Sequence, residues 1–198
     1  LGVPLDPEIK SLEIGKAELL KDGKDLAIFA YGHMVQPCAK AMEMLEKEGI
    51  SVALINARFA KPVDSEMVLK YARSTGCLVT VEEHSLQGGF GSAVLETLEE
   101  HDAFSNLRVK RIGVGDIVVE HGASKIIREN LKLDPKGLFE TIVRFYRSVS
   151  GEKPVSANDH KELRGNGKKD HFCNGNKKTH QRNGKKGHLK GNHPVIHG

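Results

Sequence analysis

Apolar residues in the first 150 positions follow two rhythms in turn. Short, nearly continuous runs at 26–31 (Leu-Ala-Ile-Phe-Ala-Tyr), 51–55, 77–81 and 107–112 predict buried strands. Between them the spacing changes to that of a helix. Cys38, Ala41, Met42 and Leu45 fall at i, i+3, i+4 and i+7, with Pro37 in the first turn and Gly49 at the stop. Asp64 is a predicted N-cap for a helix carrying Met67, Val68, Tyr71 and Ala72 that halts near Gly76. The Gly-rich segment 87–91 leads into a helix with Ala93, Val94 and Leu98. Ser124 is the expected cap of a helix holding Ile126, Ile127 and Leu131, and Asp134-Pro135 opens a last helix with Leu138, Ile142, Phe145 and Tyr146. Residues 16–20 are expected to pair with the 26–31 strand as an antiparallel edge.

Strands that alternate with helices predict an α/β fold. The expected architecture is three layers around a mostly parallel five-stranded sheet with one antiparallel edge strand. After Ser150 the periodicity ends. Residues 151–198 are a low-complexity mix of Lys, Asn, Gly and His that cannot bury enough apolar surface to offset its ordering entropy, so a disordered tail is expected there. The predicted organisation is one domain over 1–150 and a tail over 151–198, with no internal repeat.

Charge separates the same two regions. Residues 1–150 hold 19 Lys/Arg and 22 Asp/Glu, a balance of −3; residues 151–198 hold 11 and 4, a balance of +7. The net +4 therefore belongs to the tail, and any polyanion affinity should sit there. No apolar run approaches the ~20 residues needed to span a bilayer, and residues 1–7 read as extended chain without a basic-then-apolar signal pattern. Cys38, Cys77 and Cys173 are odd in number and lack a CxxC, which favours buried thiols in a reducing compartment over a disulfide framework. The expected compartment is the cytoplasm, or the plastid in a photosynthetic eukaryote.

Candidate chemistry collects where the predicted strands end: Arg58 in 57–64, Glu82, Glu83 and His84 leading to Gly88, Gly89, Gly91 and Ser92, and His121 in Glu120-His121-Gly122. In a parallel sheet those ends are where ligands bind. Glu82, Glu83 and His84 could form an acid–base cluster or a metal site; the alternative is that they pair with neighbours such as Arg58 or hydrogen-bond the next loop. No second spaced ligand set accompanies them, which favours the structural or interface role. The loop at 88–92 could cradle a phosphate at a helix N-terminus, or its glycines could serve a tight turn and close helix–strand packing. It has neither the dinucleotide-fingerprint spacing nor a P-loop Lys-Ser/Thr pair, which favours packing. No GxSxG elbow is present. His33 and His121 are lone loop histidines. The six tail histidines are irregularly spaced, so incidental metal affinity is the expectation there.

These segments, taken in order, resemble the transketolase C-terminal domain and, more specifically, that of the 1-deoxy-D-xylulose-5-phosphate synthase family. The resemblance rests on Leu12-Glu13-Ile14-Gly15-Lys16-Ala17-Glu18, Ile28-Phe29-Ala30-Tyr31-Gly32, Asn56-Ala57-Arg58-Phe59 with Lys61-Pro62, Val79-Thr80-Val81-Glu82-Glu83-His84, Gly88-Gly89-Phe90-Gly91-Ser92 and Glu120-His121-Gly122. It runs from Leu1 to about Ser150. The tail lies outside it.

The resemblance implies a thiamine-diphosphate- and Mg²⁺-dependent homodimer that condenses pyruvate with D-glyceraldehyde 3-phosphate, releasing CO₂. Its product feeds isoprenoid, thiamine and pyridoxal synthesis. It also implies that cofactor and catalytic groups sit on two N-terminal domains, the partners of this one. Such enzymes hold the cofactor with Gly-Asp-Gly and a later Asn; here Gly115-Asp116 is followed by Ile117, and Asn130 comes too soon. No catalytic, cofactor-binding or metal residue is therefore assigned to this chain, and it is expected to be inactive alone. The strand-end residues are assigned structural and interface roles. Two alternatives stay open. One is the C-terminal part of a split transketolase or an oxo-acid dehydrogenase beta subunit. The other is a non-enzymatic protein whose tail binds metal or, non-specifically, nucleic acid.

Overall fold

The computed structural model describes residues 11–151. The expected tail therefore lies outside the described residues, apart from Gly151, as does the extended start of the chain.

Five strands form one sheet: β1 (Glu18–Lys21), β2 (Leu26–Ala30), β3 (Val52–Asn56), β4 (Cys77–Ser85) and β5 (Arg108–Val114), in the order β1-β3-β2-β4-β5. β2, β3, β4 and β5 are parallel, and β1 runs antiparallel at one edge. The helices are α1 (Val35–Lys47), α2 (Ser65–Thr75), α3 (Phe90–Glu100), α4 (Ser124–Asn130) and α5 (Pro135–Ser150), with a 3₁₀ turn over Gly32–Met34 before α1. The three-layer α/β expectation holds.

One pairing differs from the sequence expectation: β1 lies against β3, with Glu18 opposite Asn56, and not against β2. β2 already has β3 and β4 on its two sides, so no ladder position is left for it to share.

Both sheet faces are buried, which is why the strands are apolar without alternation. Leu26, Ile28, Leu54, Val79 and Val81 pack on one face against Cys38, Ala41 and Leu45 of α1 and Leu138 and Ile142 of α5. Ala27, Phe29, Ile55 and Leu78 pack on the other against Val68 and Tyr71 of α2 and Phe90, Val94 and Leu98 of α3. β5 closes the second edge with Arg108, Lys110 and Arg111, and cationic side chains there discourage pairing with another strand.

The helix signals behave largely as read. Asp64 Oδ1 accepts from Met67 N at 3.0 Å, and Gly76 ends α2 in the left-handed region at φ 62°. Asp134 Oδ1 accepts from Gly137 N at 3.2 Å, with Pro135 in the first turn of α5. Ser124 differs from expectation. It is the first residue inside α4, the cap position falls to Ala123, and no side chain caps that helix.

Candidate functional site

Because four strands are parallel, their carboxyl ends lie along one edge of the fold, together with the start of β1. The chain passes from β2 to β3 on one side of the sheet and then crosses to β4 on the other. The gap between the ends of β2 and β4 is thus the topological switch point, the usual ligand position in open α/β sheets. An open crevice of about 570 Å³ lies there. Tyr31 and His33 after β2, Lys61 after β3, Glu83 and His84 at the end of β4, and Gly89 and Phe90 at the start of α3 contribute to its walls. The Tyr31 and Phe90 rings stack with centroids 5.4 Å apart and planes 15° from parallel.

Glu82 decides what the crevice floor can do. β4 is longer than the 77–81 run predicts and carries Glu82 on the same face as Leu78 and Thr80, turned towards α3. The side chain is fully buried. Its Oε2 accepts from Phe90 N at 2.7 Å and its Oε1 from Gly91 N at 2.8 Å. These N–H groups open α3 and have no partner within the helix, so the carboxylate serves as a cap reaching across from the neighbouring strand. Gly88 N donates to Ser92 Oγ at 3.1 Å, and Ser92 Oγ donates to Leu86 O at 2.8 Å. The donors that could hold a phosphate or diphosphate are therefore taken, and a carboxylate faces them where an anion would need to sit. The start of α3 therefore does not fit such a group.

The glycines explain how close the approach is. A Cβ on Gly89 would lie 2.1 Å from Glu82 Oε2 and 2.3 Å from Ser85 O, and one on Gly91 would lie 2.6 Å from Thr80 Oγ1. Arg111, a residue the sequence reading did not single out, completes the clasp. Its Nη1 donates to Leu86 O at 2.7 Å and Ser92 Oγ at 2.9 Å, and its stem packs against Gly91. The Thr80 hydroxyl beside it is buried without a hydrogen-bond partner.

The remaining candidates disperse. Arg58 does not pair with Glu82 or Glu83, as one sequence reading allowed. It bonds Glu18 Oε2 at 2.9 Å, tying the β3 end to β1, and its own backbone is left-handed at φ 55°. For a residue with a Cβ that conformation is uncommon. Glu83 points the other way from Glu82, accepting from Arg128 Nε at 2.6 Å and Nη2 at 3.0 Å, which fastens α4 to the sheet and raises the guanidinium pKa. His33 Nδ1 stands 4.0 Å from Glu83. His84 is exposed on the crevice wall; His121 is exposed on the loop before α4 and does not line it. No group of three or more His, Cys, Asp or Glu among the described residues could hold a metal ion. Burial pushes the Cys77 thiol up to about 11 and Cys38 higher still, which suits packing rather than nucleophilic roles. No described helix is long and apolar enough to cross a membrane.

Comparison with known proteins returns one family, "Transketolase, C-terminal domain", matched over residues 15–138. The 1-deoxy-D-xylulose-5-phosphate synthase 1 of Geobacter sulfurreducens is 44% identical over 154 residues, 78% of this chain and 24% of that protein. The 1-deoxy-D-xylulose-5-phosphate synthase of Heliobacterium modesticaldum is 49% identical over 133 residues, 67% of this chain and 20% of that protein. Among solved structures, a split-gene transketolase described as an inactive beta4 tetramer superposes with a TM-score of 0.63 at 35% identity, covering 71% of this chain and 46% of that one. The chain thus spans about a fifth to a quarter of the length of the curated relatives it matches.

Proposed function

Because the chain belongs to the transketolase C-terminal domain family, we propose that it is the C-terminal domain of a 1-deoxy-D-xylulose-5-phosphate synthase. The carrying observation is the identity of 44–49% to synthases over 133–154 residues, together with the family match over 15–138, which holds every strand-end segment described above. In this reading the parent enzyme is a cytoplasmic homodimer. It joins pyruvate to D-glyceraldehyde 3-phosphate with loss of CO₂, and thiamine diphosphate with Mg²⁺ supplies the carbanion chemistry from the N-terminal domains.

This chain's own part is structural. Arg58, Glu83, His84 and His121 belong to an edge that meets the other domains, while Glu82, Gly88, Gly89, Gly91 and Ser92 set the shape of that edge. The Glu82 cap supports this division of labour: the best anion-binding donors at the switch point serve the chain's own loop.

The 35% match to a split transketolase chain favours one alternative, a transketolase divided between two polypeptides. It is the weaker reading because the synthases match at higher identity over a similar share of this chain.

The test mixes this chain with the separately produced remainder of a synthase and follows CO₂ release from pyruvate. Turnover that needs both proteins and D-glyceraldehyde 3-phosphate is expected. Ketol transfer between sugar phosphates by the mixture, without that condensation, would establish the split-transketolase alternative. Turnover by this chain alone would contradict both.

A further inference from the structure

A second cleft, of about 430 Å³, opens at the amino end of the sheet, where the last turn of α5 lies beside the starts of β2, β4 and β5. Lys24, just before β2, and Arg108, the first residue of β5, both line it. Neither side chain has an ion-pair or hydrogen-bond partner among the described residues, whereas Lys16, Lys21, Arg58, Arg128 and Arg147 each hold a glutamate. Two cations that converge on one cleft repel each other, and an anion between them turns that repulsion into attraction. The carboxyl-end crevice has the opposite balance: there Lys61 shares the wall with Glu82, Glu83 and Glu96. In the second cleft Asp25 is the one carboxylate on the wall, and its Oδ2 already accepts from Ser51 N at 2.7 Å.

We infer that this cleft binds the phosphoryl group of a small phosphate ester, with Lys24 and Arg108 as its charge partners. Charge-assisted donors on two separate strands suit a dianion, and the planar fork of an arginine beside the point charge of a lysine suits phosphate in particular. The backbone that carries both cations is fixed before any ligand arrives. Arg108 N donates to Gly76 O at 3.0 Å, and Lys24 N donates to Ser51 Oγ at 3.2 Å. Asn106, held left-handed at φ 59°, adds a carboxamide to the wall, and Val149 of α5 adds an apolar patch for the organic part of the ester. The volume lies in the range of small-molecule pockets, more than a bare phosphate ion needs. No part of the carboxyl-end edge enters this site, so it does not depend on the function proposed above.

The experiment titrates inorganic phosphate, and separately glycerol 3-phosphate, into the full 198-residue chain at constant ionic strength, and follows backbone amide shifts by NMR. Saturable shifts at 24–25, 76–77 and 106–108 are expected with both, the ester binding at least as tightly, and none with glycerol. The double variant Lys24→Gln/Arg108→Gln, altered at two exposed positions, should bind about tenfold more weakly. The control Lys40→Gln/Lys61→Gln removes the same charge at exposed positions elsewhere and should bind as the natural chain does. Amide spectra without ligand verify that every form folds. Shifts confined to 151–198 would show attraction to the basic segment alone and overturn the site. Shifts at the cleft that survive the double variant, or weaken equally in the control, would overturn it too. So would a double variant that loses stability while phosphate leaves the natural chain's amides unmoved at millimolar concentrations. That result would assign Lys24 and Arg108 to offsetting the carboxyl ends of α2 and α5.

Discussion

The two ends of the sheet are built differently. At the amino ends of the strands the short connections satisfy themselves. Asp25 Oδ2 accepts from Ser51 N at 2.7 Å, and Thr75 Oγ1 bridges Tyr71 O and Cys77 O. Tyr71 donates its hydroxyl proton to Asp22 Oδ1 at 2.7 Å, holding that carboxyl below its ordinary pKa. At the carboxyl ends the connections are longer, the crevice opens, apolar side chains face water, and one backbone is left-handed at Arg58. Yet the central loop there is locked by Glu82, Arg111 and Ser92. The contrast teaches that the second end is held in shape by its own side chains and yet, among the described residues, left uncovered.

The largest effect should come from the clasp. Glu82→Ala strands two buried N–H groups at the start of α3 and should lower the unfolding free energy by about 3 kcal/mol in urea titration. Glu82→Gln keeps one acceptor and should lose about half as much. If Glu82→Ala is as stable as the natural chain, the lock is not what shapes that end.

A smaller effect is expected from the other end. Tyr71→Phe gives up one hydrogen bond, about 1 kcal/mol at neutral pH. It also changes the alkaline limb. Burial, then the bond to Asp22, pushes the Tyr71 pKa up to about 12 from an ordinary 10.0. The folded form therefore holds its proton more tightly. The associated stability is complete below pH 10 and is lost as pH rises through about 12. Cys77, raised to about 11 from 9.0, adds a loss with the same sign. Denaturation followed from pH 9 to 12 should fall less steeply in Tyr71→Phe; an unchanged slope would remove Tyr71 from this account.

The smallest effect sharpens the picture of the clasp. Thr80→Val replaces a buried hydroxyl that has no partner with a methyl of similar shape. Stability should be unchanged or higher by up to about 1 kcal/mol. A clear loss would show that the hydroxyl does bond within the clasp.

Much of the fold was legible in the sequence because burial on both sheet faces writes strands as unbroken apolar runs. Capping residues such as Asp64 and Asp134 wrote the helix starts. The partner of β1 was not legible, since a four-residue edge strand carries no mark of its neighbour. The end of β4 was hidden because Glu82, Glu83 and His84 look like a loop, although Glu82 is as buried as Val81. Arg111 was missed for a related reason: among Arg108, Lys110 and Arg111 it reads as one more charge on an edge strand. The available signal was the pair Gly89 and Gly91, whose missing side chains announce a close approach from β4 and β5. The Ser124 cap failed because the helix begins one residue earlier than the sequence suggests, so that Ser124 falls inside α4 and Ala123 takes the cap position.

The central claim is that the carboxyl end of the sheet is the covered end in the assembled enzyme. Hydrogen–deuterium exchange on this chain, alone and mixed with the remainder of the synthase, tests it most directly. Slower exchange at 31–34, 84–90 and 115–126, with no change at 22–25 and 103–107, is the predicted result. Protection confined to 22–25 and 103–107 would contradict it.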